Sequence, residues 1–224
     1  MPKRKVNKKK SEEDNSKSSG EFEINLPWYV WALCVIIVVG LILWVVFSGM
    51  GKVNYKGLVF EIEKYGNTIA YHNVYYYNTP FKETIKYNLY IFNDPTKNDV
   101  PMNAEIVYPE YLDEIKLSIN TNGLSECPES NRAVGMLSEF LTNNGFRIKI
   151  GTQNESMAKE YNMTYVTCET HPNDFVISLS SGNTTQVVQQ GKSCFRIEET
   201  NCEIQKVVEK FIVESVAQAK ARNK

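Results

Sequence analysis

Four cysteines lie in the second half of the chain: Cys127 in SECPES, Cys168 in YVTCET, and Cys194 and Cys202 in SCFRIEETNCEIQ. Sulfur at these positions could form disulfides, hold a metal or act as a thiolate nucleophile. A zinc site draws on clustered Cys and His ligands. This chain has no CxxC, and its histidines are only His72 and His171, so zinc ligands would have to be gathered from scattered positions. An even number of cysteines in an oxidising compartment reads as disulfides, here with three possible pairings. Cys127 and Cys202 each precede a helical pattern, and a helix N-terminus lowers a thiol pKa. Position alone therefore singles out neither. The fifth cysteine, Cys34, lies in an apolar run and reads as a small hydrophobe.

Other candidate chemistry is thinner. Glu61 and Glu63 share a strand face and could act as an acid–base pair, but a solvated face opposite Leu58, Phe60 and Ile62 explains them more simply. The tyrosines of VYYYN offer a binding platform, and they also suit a strand. His171 beside Pro172 reads as a turn residue. There is no Gly-rich phosphate loop, GxSxG or HExxH, and no cofactor is expected.

The compartment decides among the sulfur readings. INLPWYVWALCVIIVVGLILWVVFSGMG, Ile24 to Gly51, contains no Asp, Glu, Lys or Arg. About 20 apolar residues match the roughly 30 Å hydrocarbon layer, which predicts a transmembrane helix over 24–51 in contact with membrane lipid. Trp28, Tyr29 and Trp31 at one end and Trp44 and Phe47 at the other suit the two interfaces. The run is longer than the apolar core of a cleaved signal peptide, so an uncleaved anchor is expected. Lys3, Arg4, Lys5, Lys8, Lys9 and Lys10 precede it, and only Lys52 and Lys56 follow closely. That asymmetry places the N-terminus in the cytoplasm and the C-terminal domain on the extracytoplasmic side. Residues 1–23 are expected to be a disordered basic tail. With a formal net charge of −1 overall, no nucleic-acid partner is implied. Three sequons beyond the apolar run, at Asn154, Asn162 and Asn183, would then be open to glycosylation.

The elements that must position these residues follow from periodicity. Residues 53–112 are strand-like: GLVFEIEKY and TIAYHNVYYYN flank a Gly66-Asn67 turn, and KYNLYIF ends at Asn93-Asp94-Pro95. Residues 113–222 mix strands and helices. EIKLSI, FRIKI, MTYVTC, DFVISL, TTQVVQQ and SCFRIE read as strands and ESMAKEYN as a short helix. A helix from Ser130 carries Val134, Leu137, Phe140 and Leu141 on one stripe and stops at Asn144-Gly145. The last helix carries Ile204, Val207, Val208, Phe211, Ile212 and Val216, with Thr200 or Asn201 as cap and Glu203 completing a capping box.

The element order from Glu114 onward, with Cys127-Pro128-Glu129-Ser130 opening the first helix and Pro172 preceding DFVISL, resembles the thioredoxin-like fold. The whole chain, through YNLYIFNDP, YVTCETHP and NCEIQKVVEKF, also resembles archaeal single-span surface proteins, a likeness that brings no activity with it. The fold expected is therefore α/β: an N-terminal transmembrane helix and a β-rich segment from the patterns above, then the thioredoxin-like sandwich that the resemblance implies. The resemblance further implies a cis-proline loop at Pro172 and the bridges Cys127–Cys168 and Cys194–Cys202. Ser130 replaces the second cysteine of a dithiol motif, so exchange would need Cys127 with Cys168 as the resolving partner. The favoured expectation is a non-catalytic interaction or structural module with a partner protein in the envelope, and thiol–disulfide exchange is the alternative.

Overall fold

The structure, a computed structural model, describes residues 27–49 and 51–222. It divides between Ser48 and Gly49 into two compact units. The first contains helix α1, Trp28–Gly49. Among the described residues no helix is long and apolar enough to cross a membrane. That corrects the expected transmembrane helix over 24–51. Ile24, Asn25, Leu26 and Met50 of that range, and the basic tail, lie outside the described residues. Apart from half-buried Val30, the described side chains of α1, including Trp28, Trp31, Ile36 and Trp44, are exposed.

In the second unit, turn chemistry organises the first strands. β1 (Lys52–Tyr55) and β2 (Leu58–Tyr65) are joined through Lys56 and Gly57, both at positive φ, as a two-residue hairpin turn requires. β3 (Thr68–Asn78) follows the expected Gly66-Asn67 turn, and β4 (Thr84–Ile91) completes an antiparallel sheet in the order β1-β2-β3-β4. Alternation buries Leu58, Phe60, Leu89 and Ile91 on one face, while the hairpin tip from Ile62 to Ile69 stands in solvent.

The remaining strands form a seven-stranded sheet: β5 (Met102–Asn103), β6 (Glu114–Ile119), β7 (Arg147–Thr152), β8 (Thr164–Tyr165), β9 (Phe175–Ser181), β10 (Gln186–Gln189) and β11 (Cys194–Glu199). Their order is β5-β10-β11-β9-β6-β7-β8. β11, β9, β6, β7 and β8 run parallel, and β10 pairs antiparallel with β11. After β6 come α2 (Thr121–Leu124), a turn whose Asn122 and Gly123 are not helical, and α3 (Ser130–Asn143). α4 (Glu155–Glu160) joins β7 to β8, and α5 (Ile204–Arg222) follows β11.

The α3 stripe packs through Leu137, Phe140 and Leu141, and the α5 stripe through Val207, Val208, Phe211 and Ile212. α5 is enclosed between the two sheets, α3 packs beside it with Asn131, Gly135, Glu139 and Thr142 left exposed, and residues from both expected segments, 53–112 and 113–222, enter one hydrophobic core. This explains why α5 also buries Glu209 and Glu214 at the two edges of its apolar stripe, and Gln205 and Ser215 within it. Glu209 accepts N–H bonds from the backbone of Phe92 and Asn93 and from the side chains of Asn93 and Gln205. Glu214 binds Lys56 Nζ at 2.8 Å and Tyr55 Oη at 2.6 Å. The start of α5 differs from the expected capping box. Asn201 and Cys202 adopt positive φ, and the Glu203 carboxylate instead accepts from Thr185 Oγ1 at 2.7 Å.

Beyond β8 the chain crosses the sheet face that the helices leave free. Gly151 permits that crossing: a Cβ there would lie 2.6 Å from Val166 Cγ2 and 2.8 Å from the Thr164 carbonyl oxygen. Val166, Cys168, Val176 and Cys194 form a small second core on this face.

Candidate functional site

The four cysteines form two disulfides, but not the expected pairs. Cys127, just before α3, bonds Cys202, just before α5, with Cα atoms 5.2 Å apart. Cys168 bonds Cys194 across the small second core, with Cα atoms 5.7 Å apart. Strand geometry excludes the expected Cys194–Cys202 bridge. β11 alone carries the chain about 16 Å from its first residue to its last, whereas a disulfide needs Cα atoms within about 7 Å. The expected Cys127–Cys168 bridge fails because the sheet lies between them: Cys127 is at the helix layer and Cys168 on the opposite face.

The alternative exchange centre is therefore not assembled. No cis peptide bond occurs among the described residues, so the expected cis-proline at Pro172 is corrected too. Pro172 precedes the start of β9, which pairs with the start of β6, while Cys127 lies beyond the opposite end of β6. Ser130 Oγ donates to the Leu124 carbonyl at 2.5 Å, a turn-closing role. His171 Nδ1 lies 2.9 Å from Thr170 Oγ1 in the same turn.

Of the sequons, Asn162 and Asn183 are exposed, Asn162 at positive φ. Asn154 is half-buried and caps α4, its Oδ1 accepting from Met157 N at 3.1 Å. Glu61 and Glu63 lie on the outer face of the four-stranded sheet. Glu61 pairs with Lys52 at 2.7 Å, and Glu63 contacts His72 Nδ1 at 2.7 Å and accepts from the Tyr65 hydroxyl. That bond to Glu63 pushes the Tyr65 phenol up to about 12. These are surface contacts around a strand, not an acid–base pair facing a cleft.

The tyrosines of VYYYN divide by alternation: Tyr76 points outward and is exposed, whereas Tyr75 and Tyr77 point towards the helices. The β2–β3 ladder ends at Glu61↔His72, while β3 continues to Asn78 paired with β4 alone. Where the ladder ends, a cavity of about 610 Å³ opens between the four-stranded sheet and the helix layer. Leu58, Tyr75, Tyr108, Phe140, Phe146 and Val216 are among the residues that line it. Tyr108 stacks on Phe146 with ring centroids 5.0 Å apart.

Most polar groups of the wall are already paired. Tyr75 Oη donates to Asn144 Oδ1 at 2.9 Å, and Asn144 Nδ2 donates to the Phe140 carbonyl at 2.7 Å. Ser215 Oγ donates to the Phe211 carbonyl at 2.7 Å, and Tyr108 Oη lies 2.9 Å from the same Oγ. Lys220 Nζ donates to the Gly57 carbonyl at 2.8 Å. Burial raises the Tyr75 and Tyr108 hydroxyl pKa values far above ordinary phenol, so both are neutral. Asn73 is the exception. It is 5% exposed, its Nδ2 donates to the Val59 carbonyl at 2.7 Å, and its Oδ1 has no partner.

No family model, curated protein or solved structure matches this chain. The site must therefore be read from its own geometry. No carboxylate, histidine or cysteine lines the cavity, and its Ser215 hydroxyl and Lys220 ammonium each donate to a backbone carbonyl. It offers apolar area and aromatic faces, which suits binding. Sequence reading found VYYYN but missed Asn73, Tyr108, Asn144 and Ser215. One signal was available: Asn73 interrupts the inward series Tyr71, Tyr75, Tyr77, and a polar residue on a buried face needs a partner.

Proposed function

We propose that this protein is a non-catalytic binding module held at a membrane, with its disulfide-braced unit in the extracytoplasmic compartment. The observation that carries the binding reading is the cavity of about 610 Å³, within the roughly 300–1,000 Å³ common for ligand sites. Its wall is apolar and aromatic with few polar groups, as such sites are. The membrane location is supported by the exposed apolar side chains of α1 and by the basic residues before it. The oxidising compartment is supported by the bonding of Cys127, Cys168, Cys194 and Cys202 in pairs. In this reading a lipid surface holds α1, and the globular unit serves as an interaction or structural module of the envelope.

Fractionation and thiol mapping test the location. The chain is expected to sediment with membranes at physiological salt, with only Cys34 alkylated before reduction. Recovery in the soluble fraction with all five cysteines alkylated refutes the location. Binding is tested by NMR of the full chain in lipid nanodiscs titrated with 1-naphthol. Shifts confined to the Tyr75, Tyr108 and Phe146 rings are expected. No shift at these rings at millimolar ligand refutes the cavity as a binding site.

A further inference from the structure

We propose that the cavity beneath β3 takes an extended peptide segment of a partner protein, added as a strand to the edge that β3 leaves unpaired beyond Asn73, with alternate apolar side chains on the aromatic wall. The proposal deepens the binding reading above and rests on it.

The edge comes from a splay of two strands. β2 and β3 pair from Tyr65↔Thr68 to Glu61↔His72 and no further. β2 nevertheless runs back to Leu58, paired on its other side with β1. The Asn73 side chain spans the opening, its Nδ2 donating to the Val59 carbonyl at 2.7 Å. β3 keeps its pairing with β4 as far as Asn78↔Thr84. Alternate residues of an antiparallel strand direct both N–H and C=O to one side. Between Val74 and Asn78, alternate residues therefore hold a donor and an acceptor out towards the missing neighbour. No backbone partner among the described residues answers them. This free edge is about 15 Å long, and such a row of unpaired groups is a template for another strand.

The cavity lies along that edge. It touches Val74, Tyr75, Tyr76 and Tyr77 in succession. Side chains of both directions occur in this run, so the space follows the edge of the strand and not one face alone. Tyr108, Phe140, Phe146 and Val216 give it an apolar floor. A strand laid on the edge sends every second side chain to that floor and the others to solvent. Main-chain bonds then supply affinity and the floor selects the alternate side chains. No carboxylate lines the space, so a cationic side chain on the floor would lose its hydration without gaining a counter-ion. A compact small molecule fills the floor but leaves the edge unanswered, which favours a peptide backbone as the occupant.

The test uses the full chain in nanodiscs of neutral phospholipid, titrated calorimetrically against empty nanodiscs. The probe is a capped peptide of three valine–threonine repeats with a glutamate at each end. In an extended strand its valine N–H groups all point to one edge and its threonine N–H groups to the other. Two further probes carry N-methyl groups on the valines or on the threonines. The expected result is that the unmodified peptide binds, that one methylated peptide binds about tenfold or more weakly, and that the other stays within about threefold of the unmodified one. Ala219→Trp, which places an indole in the cavity wall, should abolish peptide binding with the urea midpoint near that of wild type. Equal binding of the two methylated peptides overturns strand addition while leaving the cavity a binding site. Failure of the unmodified peptide to bind, where 1-naphthol still shifts the cavity rings, has the same meaning. Failure of both the peptide and 1-naphthol overturns both readings. The methylated pair decides the matter even where the Ala219→Trp chain does not fold.

Discussion

Replacing Glu209 with Leu tests whether α5 is truly enclosed on both sides. Its carboxylate accepts backbone N–H bonds from Phe92 at 2.9 Å and Asn93 at 2.8 Å, and side-chain bonds from Asn93 at 2.8 Å and Gln205 at 2.7 Å. In Glu209→Leu the Asn93 and Gln205 side chains can turn away, but the two backbone donors lose their acceptor. Each unpaired buried donor costs about 1–3 kcal/mol. Removing a carboxylate from a buried place offsets part of this cost. The net loss is expected at about 2–4 kcal/mol, with Glu209→Gln, which keeps one acceptor oxygen, losing about half as much. With a slope near 2 kcal/mol/M in urea, the Glu209→Leu midpoint should fall by about 1–2 M. Circular dichroism during urea unfolding at neutral pH measures it. A Glu209→Leu chain as stable as wild type would refute the docking of residues 92–93 on α5, and with it the enclosed position of the helix.

The same helix predicts two opposite pH responses. Burial raises the Glu209 pKa above 4.5, so the stability of its protonated form is present below 4.5 and lost as pH rises through its folded value. Burial also pushes Glu214 up, but bonds from Lys56 and Tyr55 and the Lys56 charge hold it below 4.5 overall. Its stability is present above 4.5 and lost as pH falls through its folded value. Unfolding curves across pH should show Glu209→Gln removing the first slope and Glu214→Gln the second. The disulfides close loops with sequence separations of 75 and 26 residues. Paired Cys→Ala changes should therefore cost about 4.5 kcal/mol for Cys127–Cys202 and about 3.5 kcal/mol for Cys168–Cys194. Non-reducing peptide mapping checks the connectivity and urea unfolding the order. Gly151→Ala should destabilise by about 1–3 kcal/mol because its Cβ has no room. Gly135→Ala in α3, with nothing within 4 Å, should stabilise by about 0.5–1 kcal/mol in the same assay.

Local pattern was legible from sequence. The Gly66-Asn67 turn, the stripe of α3, its end at Asn144-Gly145 and the stripe of α5 all follow from side-chain period and backbone preference. What sequence could not reveal was which surfaces meet. Glu209 and Glu214 are carboxylates at the edges of the α5 stripe, where no pattern announces burial, yet the backbone just after β4 and Tyr55 of β1 supply donors that let them be buried. The disulfide pairing was missed for a similar reason. Cys194 and Cys202 are near in sequence, but the extended strand between them holds them apart, and only the sheet order shows which cysteines share a face. At the cavity, VYYYN was visible as a group. That alternate tyrosines face opposite ways beside an interrupted ladder depends on where β2 stops pairing, which no residue type announces.

The middle layer has a consequence for how this chain must acquire its shape. α5 comes after every strand it packs against, so while residues 204–217 are still unmade, both sheets have been synthesised with their oily sides uncovered. The Cys168–Cys194 bond lies wholly upstream and can close before that moment, tying down one half-built sheet. The other half must wait, exposed, for its centrepiece. A chain in this condition is a natural client for whatever shelters unfinished proteins in its compartment.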